Sequence, residues 1–237
     1  RDAELQDWVN NLCAHSRIDA AVVFCSSMAQ YVVGKARLPT IVDFVDVDSD
    51  KWRQYAAHSR WPMSWIYARE SKLLGLYERQ VASWARRCFF VTEQERALFL
   101  RHTPECGIRI DVMQNGVDHQ YFDPDIPFDT PFEADEVPIV VTGTMSYRIN
   151  EEGILWFAEQ VLPALADSFP KLRFHIVGRQ PGQRLQALAS ERIKVAGTVP
   201  DVRPYLQHAA LVVAPMHISR GIPNKILEAM SMGKAVV

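Results

Sequence analysis

The sequence has few cysteines, and their spacing does not suggest a metal or redox centre. Its four cysteines, Cys13, Cys25, Cys88 and Cys106, form neither a CxxC pair nor a Cys/His cluster with ligand spacing. This argues against a structural zinc site and against a thioredoxin-like dithiol motif. We therefore expect a protein of a reducing compartment, the cytoplasm.

Long apolar runs, an excess of one charge and internal repeats are missing as well. No apolar run approaches the roughly 20 residues that span a bilayer, and no signal peptide opens the sequence. The 26 basic and 28 acidic side chains leave a formal charge of −2, so no overall field attracts nucleic acid. We expect no nucleic-acid partner, no solenoid and only local membrane contact.

A dinucleotide-binding fingerprint is also absent. No predicted strand is followed by GxGxxG with an acidic residue about 20 positions later. A dinucleotide-dependent oxidoreductase is therefore disfavoured.

Short apolar runs alternate with longer helical patterns along the whole chain, which is typical of parallel sheets covered by helices. With 237 residues, 48% of them apolar, the chain can bury a substantial core, and we predict an α/β fold. A long helix is predicted at 67–87, and the next begins at a capping box formed by Thr92 and Glu95. Strands are predicted at 20–25, 40–45, 88–91, 110–113, 139–142, 173–177, 193–196 and 211–214.

A stretch rich in proline and acidic residues divides the chain. The sequence DPDIPFDTPFEADEVP at 123–138 has no usable period, so we predict a linker there. It separates a first α/β domain at 1–122 from a second at 139–237. The first residues follow a helical pattern and the last ones begin a strand, so we interpret the sequence as a fragment in which both domains are incomplete.

The segment GIPNKILEAMSMG at 221–233 predicts a helix with an open amino end. Free backbone N–H groups and the positive end of the helix dipole attract phosphate there, and Lys225 adds a full charge. Glu228 lies one turn beyond Asn224 on the same face, where a carboxylate can accept hydrogen bonds from both hydroxyls of a ribose. The alternative is a solvated amphipathic helix, which periodicity alone favours. The apolar residues expected to face the core are Ile226, Leu227 and Met230.

Extended to Val237, this segment resembles the donor-site signature of retaining GT-B glycosyltransferases of family 4, written G-x-x-x-x-x-x-E-A-M-A-x-G-x-P-V-V. Ala235 stands where the signature has proline. Other segments resemble the same family in the same order along the chain. They are QNGVD and YFDP (114–118 and 121–124) for the crossing between lobes, VTGTM and HIVG (141–145 and 175–178) for glycine turns of the nucleotide domain, and GTVPD (197–201) for the loop beside the donor base.

The resemblance implies two Rossmann-like domains with parallel sheets facing a cleft. It also implies transfer of a hexose-type sugar, with retention, from a nucleotide-diphosphate sugar to an acceptor hydroxyl. In that family the residue matching Glu228 holds the ribose, and backbone matching 222–224 contacts the diphosphate and sugar. No cofactor and no metal are expected. The candidate donor-binding residues are Gly143, Asn150, Gly178, Val199, Gly221, Ile222, Pro223, Asn224, Lys225 and Glu228.

A bacterial subgroup gives the closest resemblance. DFVDVDSDKW at 43–52 and GTMSYRIN at 143–150 resemble motifs of the sugar transferases of exosortase and PEP-CTERM exopolysaccharide loci. That resemblance implies a role in exopolysaccharide or glycoconjugate biosynthesis and a saccharide or lipid-linked saccharide as acceptor.

The sequence departs from the family pattern at charged positions. Arg220 stands where the E-x-x-x-x-x-x-x-E motif has its first Glu, the usual Arg and Lys after the glycine turn are not evident in 146–150, and Ile149 replaces a subgroup proline. We therefore hypothesise that Lys225, Arg148 and Arg220 neutralise the leaving diphosphate, because a fixed cation stabilises the negative charge that develops as the bond breaks.

Asp46 and Asp48 follow the predicted strand at 40–45, and ligands of α/β sheets bind at the carboxyl ends of strands. Either carboxylate is a candidate for activating an acceptor hydroxyl. The alternative is loop solvation or helix capping by Ser49 and Asp50. A calcium loop is disfavoured because its glycine and glutamate positions hold other residues, and the Asp46-Val47-Asp48 resemblance to a DxD metal motif conflicts with the GT-B motifs.

The segment RWPMSWIYAR at 60–69 mixes aromatic and basic residues, as membrane-interface segments do. Core packing is the alternative. A lipid-linked acceptor would explain a peripheral contact with the inner face of the membrane. His175 and His217 have no ligand-type neighbours in the sequence and are interpreted as structural.

Two other functions stay open at this point. One is an epimerase or hydrolase of nucleotide sugars on the same fold, because a fold does not set the chemistry. The other is a noncatalytic nucleotide-sugar-binding module.

Overall fold

The computed structural model describes residues 2–16, 18–35, 38–216 and 222–237. The chain divides into two compact units, Arg1–Gln114 and Asn115–Val237. All eight predicted strands are present, and both sheets are parallel throughout. The predicted α/β fold is therefore confirmed.

The first unit is a four-stranded sheet in the order β1-β2-β3-β4. Strands that are neighbours in this sheet are also consecutive in the chain, and helices or 3₁₀ turns lie between them. The strands are β1 (Ala21–Phe24), β2 (Thr40–Val45), β3 (Arg87–Phe90) and β4 (Ile110–Val112); the helices are α1 (Ala3–His15), α2 (Asp48–Ala57), α3 (Met63–Trp84) and α4 (Glu93–His102), with 3₁₀ turns at Ser26–Tyr31 and Pro104–Arg109.

One face of this sheet carries the core of the first unit. Alternate residues of β2 are buried, among them Val42 and Phe44. Phe44 stacks on Phe90 of β3 with ring centroids 5.2 Å apart, and Phe99 of α4 packs on both rings. Val47, just beyond β2, belongs to the same cluster, so the chain that follows β2 is anchored in the core.

The starts of helices α3 and α4 in this unit follow known sequence preferences for helix amino ends. The helix predicted at 67–87 begins earlier, at Met63, directly after Pro62, because the restricted φ of proline suits a helix start. The capping box is present in its first half, with the Thr92 side chain accepting from the Glu95 N–H at 3.2 Å. Within the described part of the chain, no helix is both long and apolar enough to cross a membrane.

The second unit is also a four-stranded sheet, in the order β7-β6-β5-β8. Its central strands are buried along most of their length, as expected for parallel strands that are covered on both faces. The strands are β5 (Val137–Thr144), β6 (Leu172–Arg179), β7 (Ile193–Gly197) and β8 (Leu211–Val212); the helices are α5 (Arg148–Trp156), α6 (Leu162–Ala166), α7 (Gln183–Gln186), α8 (Arg203–His208) and α9 (Asn224–Ser231), with a π-helical turn at Phe157–Val161 between α5 and α6.

Two hydrophobic clusters cover the two faces of this sheet. Ile139 and Val141 of β5 belong to one cluster, which includes Ile154 of α5. Val140, between them, belongs to the other, which includes Ala229 of α9. Helices α5 and α9 therefore pack on opposite faces of the sheet, and both begin near the carboxyl ends of its strands.

The stretch predicted as a linker at 123–138 is attached to the second unit. Gln207 of α8 donates to the carbonyls of Pro124 and Ile126 at 2.8 and 2.7 Å, and the last two residues of the stretch already belong to β5. Bonds from side chains to backbone need no apolar period, so the sequence pattern does not reveal them. The units divide after Gln114, earlier than the proline-rich composition suggests.

Candidate functional site

Two glycine turns lie side by side at the carboxyl edge of the second sheet. Gly143 ends β5 with a φ of +144° and is in register with Gly178 of β6. A Cβ atom on Gly178 would lie 1.8 Å from the carbonyl oxygen of Gly143. Only glycine fits there, so the backbones of both turns approach closely and leave room at the edge of the sheet.

Asn150, in the first turn of α5, joins this edge to α9. Its amide nitrogen donates to the Thr144 carbonyl at 2.9 Å, and its oxygen accepts from Nζ of Lys225 at 2.8 Å. The side chains of Asn150 and Lys225 also pass close to Gly143. The structure thus brings together four residues singled out in the sequence: Gly143, Asn150, Gly178 and Lys225.

Lys225 is a partly buried cation with a neutral hydrogen-bond partner. Burial lowers the pKa of its ammonium group to about 8. Among the described residues no carboxylate forms an ion pair with it. A cation in this setting is stabilised by an incoming anion, which would restore its pKa.

The amino end of α9 lies beside this cation. The helix begins at Asn224 after Pro223, and no side chain caps it. Its first N–H groups and its dipole therefore add to the positive potential around Lys225. The prediction that Met230 faces the core is wrong, because Met230 is 59% exposed. The buried residue of α9 is Ala229, and Met232, just beyond the helix, is buried as well.

Asn115 holds the loop that leads into α9. Its amide nitrogen donates to the carbonyl oxygen of Ile222 at 3.0 Å. The sequence motif contained Asn115, but spacing alone gave it no role. The bond shows that the segment following Gln114 fixes the backbone that precedes the helix.

Glu228 lies one turn further along α9, partly buried. Burial raises the pKa of its carboxyl group. It has no hydrogen-bond or ion-pair partner among the described residues, so its oxygens are available to a ligand with hydroxyl groups.

Val199 lies in the loop after β7 and packs against the cluster that contains Ala229. At the end of this loop Asp201 forms a two-pronged ion pair with Arg203, the first residue of α8, and these bonds lower the pKa of the Asp201 carboxyl. Arg203 also lies 3.8 Å from the ring centroid of Tyr121 and donates to the Tyr121 carbonyl at 3.1 Å. The loop is thereby tied to the segment that carries Asn115.

The remaining candidate cations are less central. Arg148, at the start of α5, pairs with Glu152 one turn along the helix at 2.7 Å, and both side chains are exposed. No described contact joins it to Lys225 or Asn150. Arg220 and Gly221 lie outside the described residues, as does His217.

The candidate acidic residues of the first unit follow β2. Val45 ends the strand with a φ of +68°, a strained conformation for a β-branched residue. Asp48 begins α2, and desolvation raises the pKa of its carboxyl group. Asp46 lies between them, at the strand end. Among the described residues, no group of three or more His, Cys, Asp and Glu is arranged to hold a metal ion.

Ser49 and Asp50 do not cap helix α2, so this structural alternative for the acidic stretch is wrong. The residue before α2 is Val47, which offers no capping side chain. Asp50 accepts from Arg53 and from Gln54 within the helix, and the Ser49 hydroxyl donates to a buried glutamate on α3.

The aromatic and basic segment at 60–69 is mostly not core. Trp61 and Trp65 are 82% and 63% exposed, whereas Tyr67 packs against Trp52 with ring centroids 5.4 Å apart. Tyr67 is therefore partly packed against a neighbouring helix, whereas core packing does not explain the two tryptophans.

Comparison with known proteins agrees with these features. Residues 136–237 match a family model described as Glycosyl transferases group 1, and the chain matches no curated protein. Among solved structures it is similar to Alr3699/HepE of Anabaena, crystallised with UDP, at 16% identity and a TM-score of 0.66. That match covers 98% of this chain and 62% of the other.

Two further solved structures are similar. Sucrose-phosphate synthase from Thermosynechococcus elongatus is 17% identical with a TM-score of 0.70, the match covering 98% of this chain and 59% of the other. A glycosyltransferase from Rickettsia africae is 14% identical with a TM-score of 0.61, covering 98% and 60%. The chain thus spans about three fifths of the length of these proteins. It has the fold of the GT-B glycosyltransferases, and its second unit carries the sequence pattern of their group 1.

Proposed function

We propose that the protein is a retaining glycosyltransferase that moves a hexose-type sugar from a nucleotide-diphosphate sugar to an acceptor hydroxyl. One observation carries the proposal: Lys225, partly buried and bound to Asn150, lies at the uncapped start of α9, one turn before Glu228, which has no partner among the described residues. A cation can bind the phosphates of a nucleoside diphosphate, and a carboxylate one turn further along the helix can accept hydrogen bonds from its ribose hydroxyls.

The diphosphate would bind at the amino end of α9. The backbone of Ile222, Pro223 and Asn224 lies before or at this end, and Lys225 supplies the charge. When the bond between the anomeric carbon and the phosphate oxygen breaks, negative charge grows on that oxygen. A cation already in place stabilises this transition state more than the ground state.

The ribose would bind to Glu228. An ionised carboxylate accepts hydrogen bonds from two neighbouring hydroxyls and gains strength from its charge. Gly143 and Gly178 contribute by leaving space for the ligand, and Val199 by placing the loop after β7 near the base.

The acceptor hydroxyl would be bound by the first unit, with Asp48 or Asp46 as its base. A new bond forms between the acceptor oxygen and the anomeric carbon on the face that the phosphate leaves. The hydroxyl proton passes to the carboxylate or to the leaving phosphate. Arg148 and Arg220 are secondary candidates for neutralising the charge of the diphosphate.

The exposed tryptophans suggest where the acceptor comes from. Trp61 and Trp65 are exposed beside Arg60 and Arg69, which combines apolar rings with positive charge as membrane-interface segments do. We propose a lipid-linked saccharide acceptor, met at the inner face of the membrane, in exopolysaccharide or glycoconjugate biosynthesis.

A transfer assay with the intact protein tests the proposal. A set of nucleotide sugars is offered with lipid-linked saccharides, and the configuration of the new glycosidic bond is determined by NMR. We expect a product with the configuration of the donor sugar. Sugar released only to water, or only epimerised, would replace transfer by the hydrolase or epimerase alternative, and binding without turnover would leave a noncatalytic binding module.

A further inference from the structure

We infer that Glu78 is a positioning residue that holds Asp48 in place for the acceptor half of the reaction. This inference rests on the proposed function. Helices α3 and α4 both contact residues 46–50, the acidic segment.

Glu78 lies beneath the acidic segment and is only 1% exposed. One of its carboxylate oxygens accepts from the Ser49 N–H at 3.0 Å, and the other accepts from the Ser49 hydroxyl at 2.5 Å. The backbone N–H of Asp48 also points to this carboxylate. A single side chain of α3 therefore fixes the first residues of α2.

Two further hydrogen bonds hold the acidic segment. Glu95 of α4, 2% exposed, accepts from the Val47 N–H at 2.7 Å. Ser71 of α3 donates its hydroxyl to the Ser49 carbonyl at 2.8 Å. Residues 47–49 are thus bound from two helices, directly after Val45, which has a strained positive φ.

A simple helix cap would not explain this arrangement. The start of a helix is ordinarily satisfied by a Ser, Thr, Asp or Asn at the preceding position, but that position is Val47 here. Burying two carboxylates under one short segment is costly. An arrangement of this kind fixes one backbone geometry, because the buried charges are stable only when their N–H partners are in place.

Glu78 is also placed to respond to its charged surroundings. A cavity of about 300 Å³ reaches it and Ser49 from the side of α4. Burial, and to a lesser extent the charge of Asp48, raise the pKa of Glu78 to about 7, while its hydrogen bonds act in the opposite direction. The charged groups around it are Asp48, Asp50 and Arg53 of α2, Lys72 and Arg79 of α3, and Glu95 and His102 of α4.

The carboxyl group of Asp48 lies close enough to affect the pKa of Glu78. A negative charge on Asp48 disfavours a negative charge on Glu78. Above about pH 7 Glu78 is ionised and grips the segment; below it, protonation weakens its bonds to the N–H groups of residues 48 and 49. The acceptor reaction should therefore lose rate on the acid side, and this limb of the pH profile should depend on Glu78.

The test compares Glu78→Gln with Glu70→Gln, an exposed glutamate on the same helix, in the intact enzyme. For each we measure kcat, the KM values for donor and acceptor, nucleotide affinity and the pH profile across about pH 5 to 9. We expect kcat of Glu78→Gln to decrease by about 10- to 100-fold, the loss of a charged hydrogen bond. Nucleotide affinity should stay within about twofold, and the acid limb should move or vanish. Glu70→Gln should match the wild type.

Three results would contradict the inference. If Glu78→Gln keeps the wild-type kcat and pH profile, Glu78 does not position Asp48. If nucleotide affinity decreases as much as kcat, its role is general stability. If the wild type transfers no sugar from any nucleotide sugar, the proposed function is wrong, and the inference about Glu78 is wrong as well. Ser49→Ala, which removes one bond to Glu78, should reproduce the loss of kcat to a smaller extent.

Discussion

At the level of single residues, the central feature is Lys225, a partly buried cation whose described hydrogen-bond partner is neutral. Its ammonium donates to the Asn150 amide oxygen, and burial rather than a charged neighbour sets its pKa. The pKa of Glu228, on the same helix, is shifted in the opposite direction, because burial raises the pKa of its carboxyl group. Each group is less stable as an ion than it would be in water, and a ligand with phosphates and hydroxyls would relieve both.

The first prediction concerns pH and Lys225. A diphosphate binds the charged ammonium, so affinity should be highest below the pKa of about 8 and decrease above it, by up to about tenfold per pH unit. The stability of the free protein depends on pH in the opposite direction. Between about pH 8 and the ordinary value of 10.5 the unfolded chain holds this proton more tightly, so the contribution of Lys225 to stability increases with pH.

Calorimetric titration with nucleoside diphosphates between about pH 7 and 9 checks this. Lys225→Met should bind about 10- to 100-fold more weakly at neutral pH and lose the alkaline decrease. Lys171→Met, at an exposed site, should behave as the wild type. An alkaline decrease that persists in Lys225→Met would show that another group causes it.

Single residues also show what sequence reasoning can and cannot predict. Gly143, Asn150 and Lys225 came from motifs, and the structure brings them together. Asn115 was in a motif, but its partner, the Ile222 carbonyl, lies far along the chain and no local pattern specifies it. Glu78 left a weaker signal: it lies on the stripe of α3 that includes Val81 and Ala82, where a carboxylate is out of place.

At the level of elements, α5 depends on a close approach to the chain after β8. A Cβ atom on Gly153 would lie 1.8 Å from the Pro215 carbonyl oxygen. Helix α5 carries Asn150 at its start, so this contact sets the distance from the helix to the glycine turns. Gly75, in the middle of α3, is different, because its Cβ would meet only Ser49 at an ordinary 3.5 Å.

The second prediction follows from that difference. Alanine favours a helix over glycine by up to about 1 kcal/mol, so Gly75→Ala should raise the free energy of unfolding slightly. Gly153→Ala should lower it by about 1 to 3 kcal/mol, because the added methyl meets backbone that has to move. Urea denaturation of the intact protein measures both. If Gly153→Ala is as stable as Gly75→Ala, the close packing of α5 is wrong.

Elements were predictable where an apolar period defined them. All eight strands follow from short apolar runs. The packing of 123–138 was not predictable, because it depends on polar bonds such as those from Gln207 to backbone carbonyls. The start of α3 was placed too late because the pattern of the segment 60–69 is aromatic and basic rather than periodic. The exposure of Trp61 and Trp65 agrees with that composition.

At the level of the whole molecule, backbone strain collects at the carboxyl ends of strands. Among the described residues, the non-glycine positions with positive φ are Cys25 after β1, Val45 at the end of β2 and Gln180 after β6. This is the edge at which α/β sheets bind ligands, and strain of this kind is retained where the surrounding structure enforces it. Positive φ angles at strand ends occur in both units.

The most direct test of the central claim is equilibrium binding of nucleoside diphosphates and nucleotide sugars to the intact protein. At least one nucleotide should bind, and Glu228→Gln should weaken it by about 10- to 100-fold through the lost charge on the ribose hydroxyls. Glu159→Gln, an exposed glutamate of the same unit, should not change the affinity. If no nucleotide binds, or if Glu228→Gln binds as tightly as the wild type, α9 does not form the donor site.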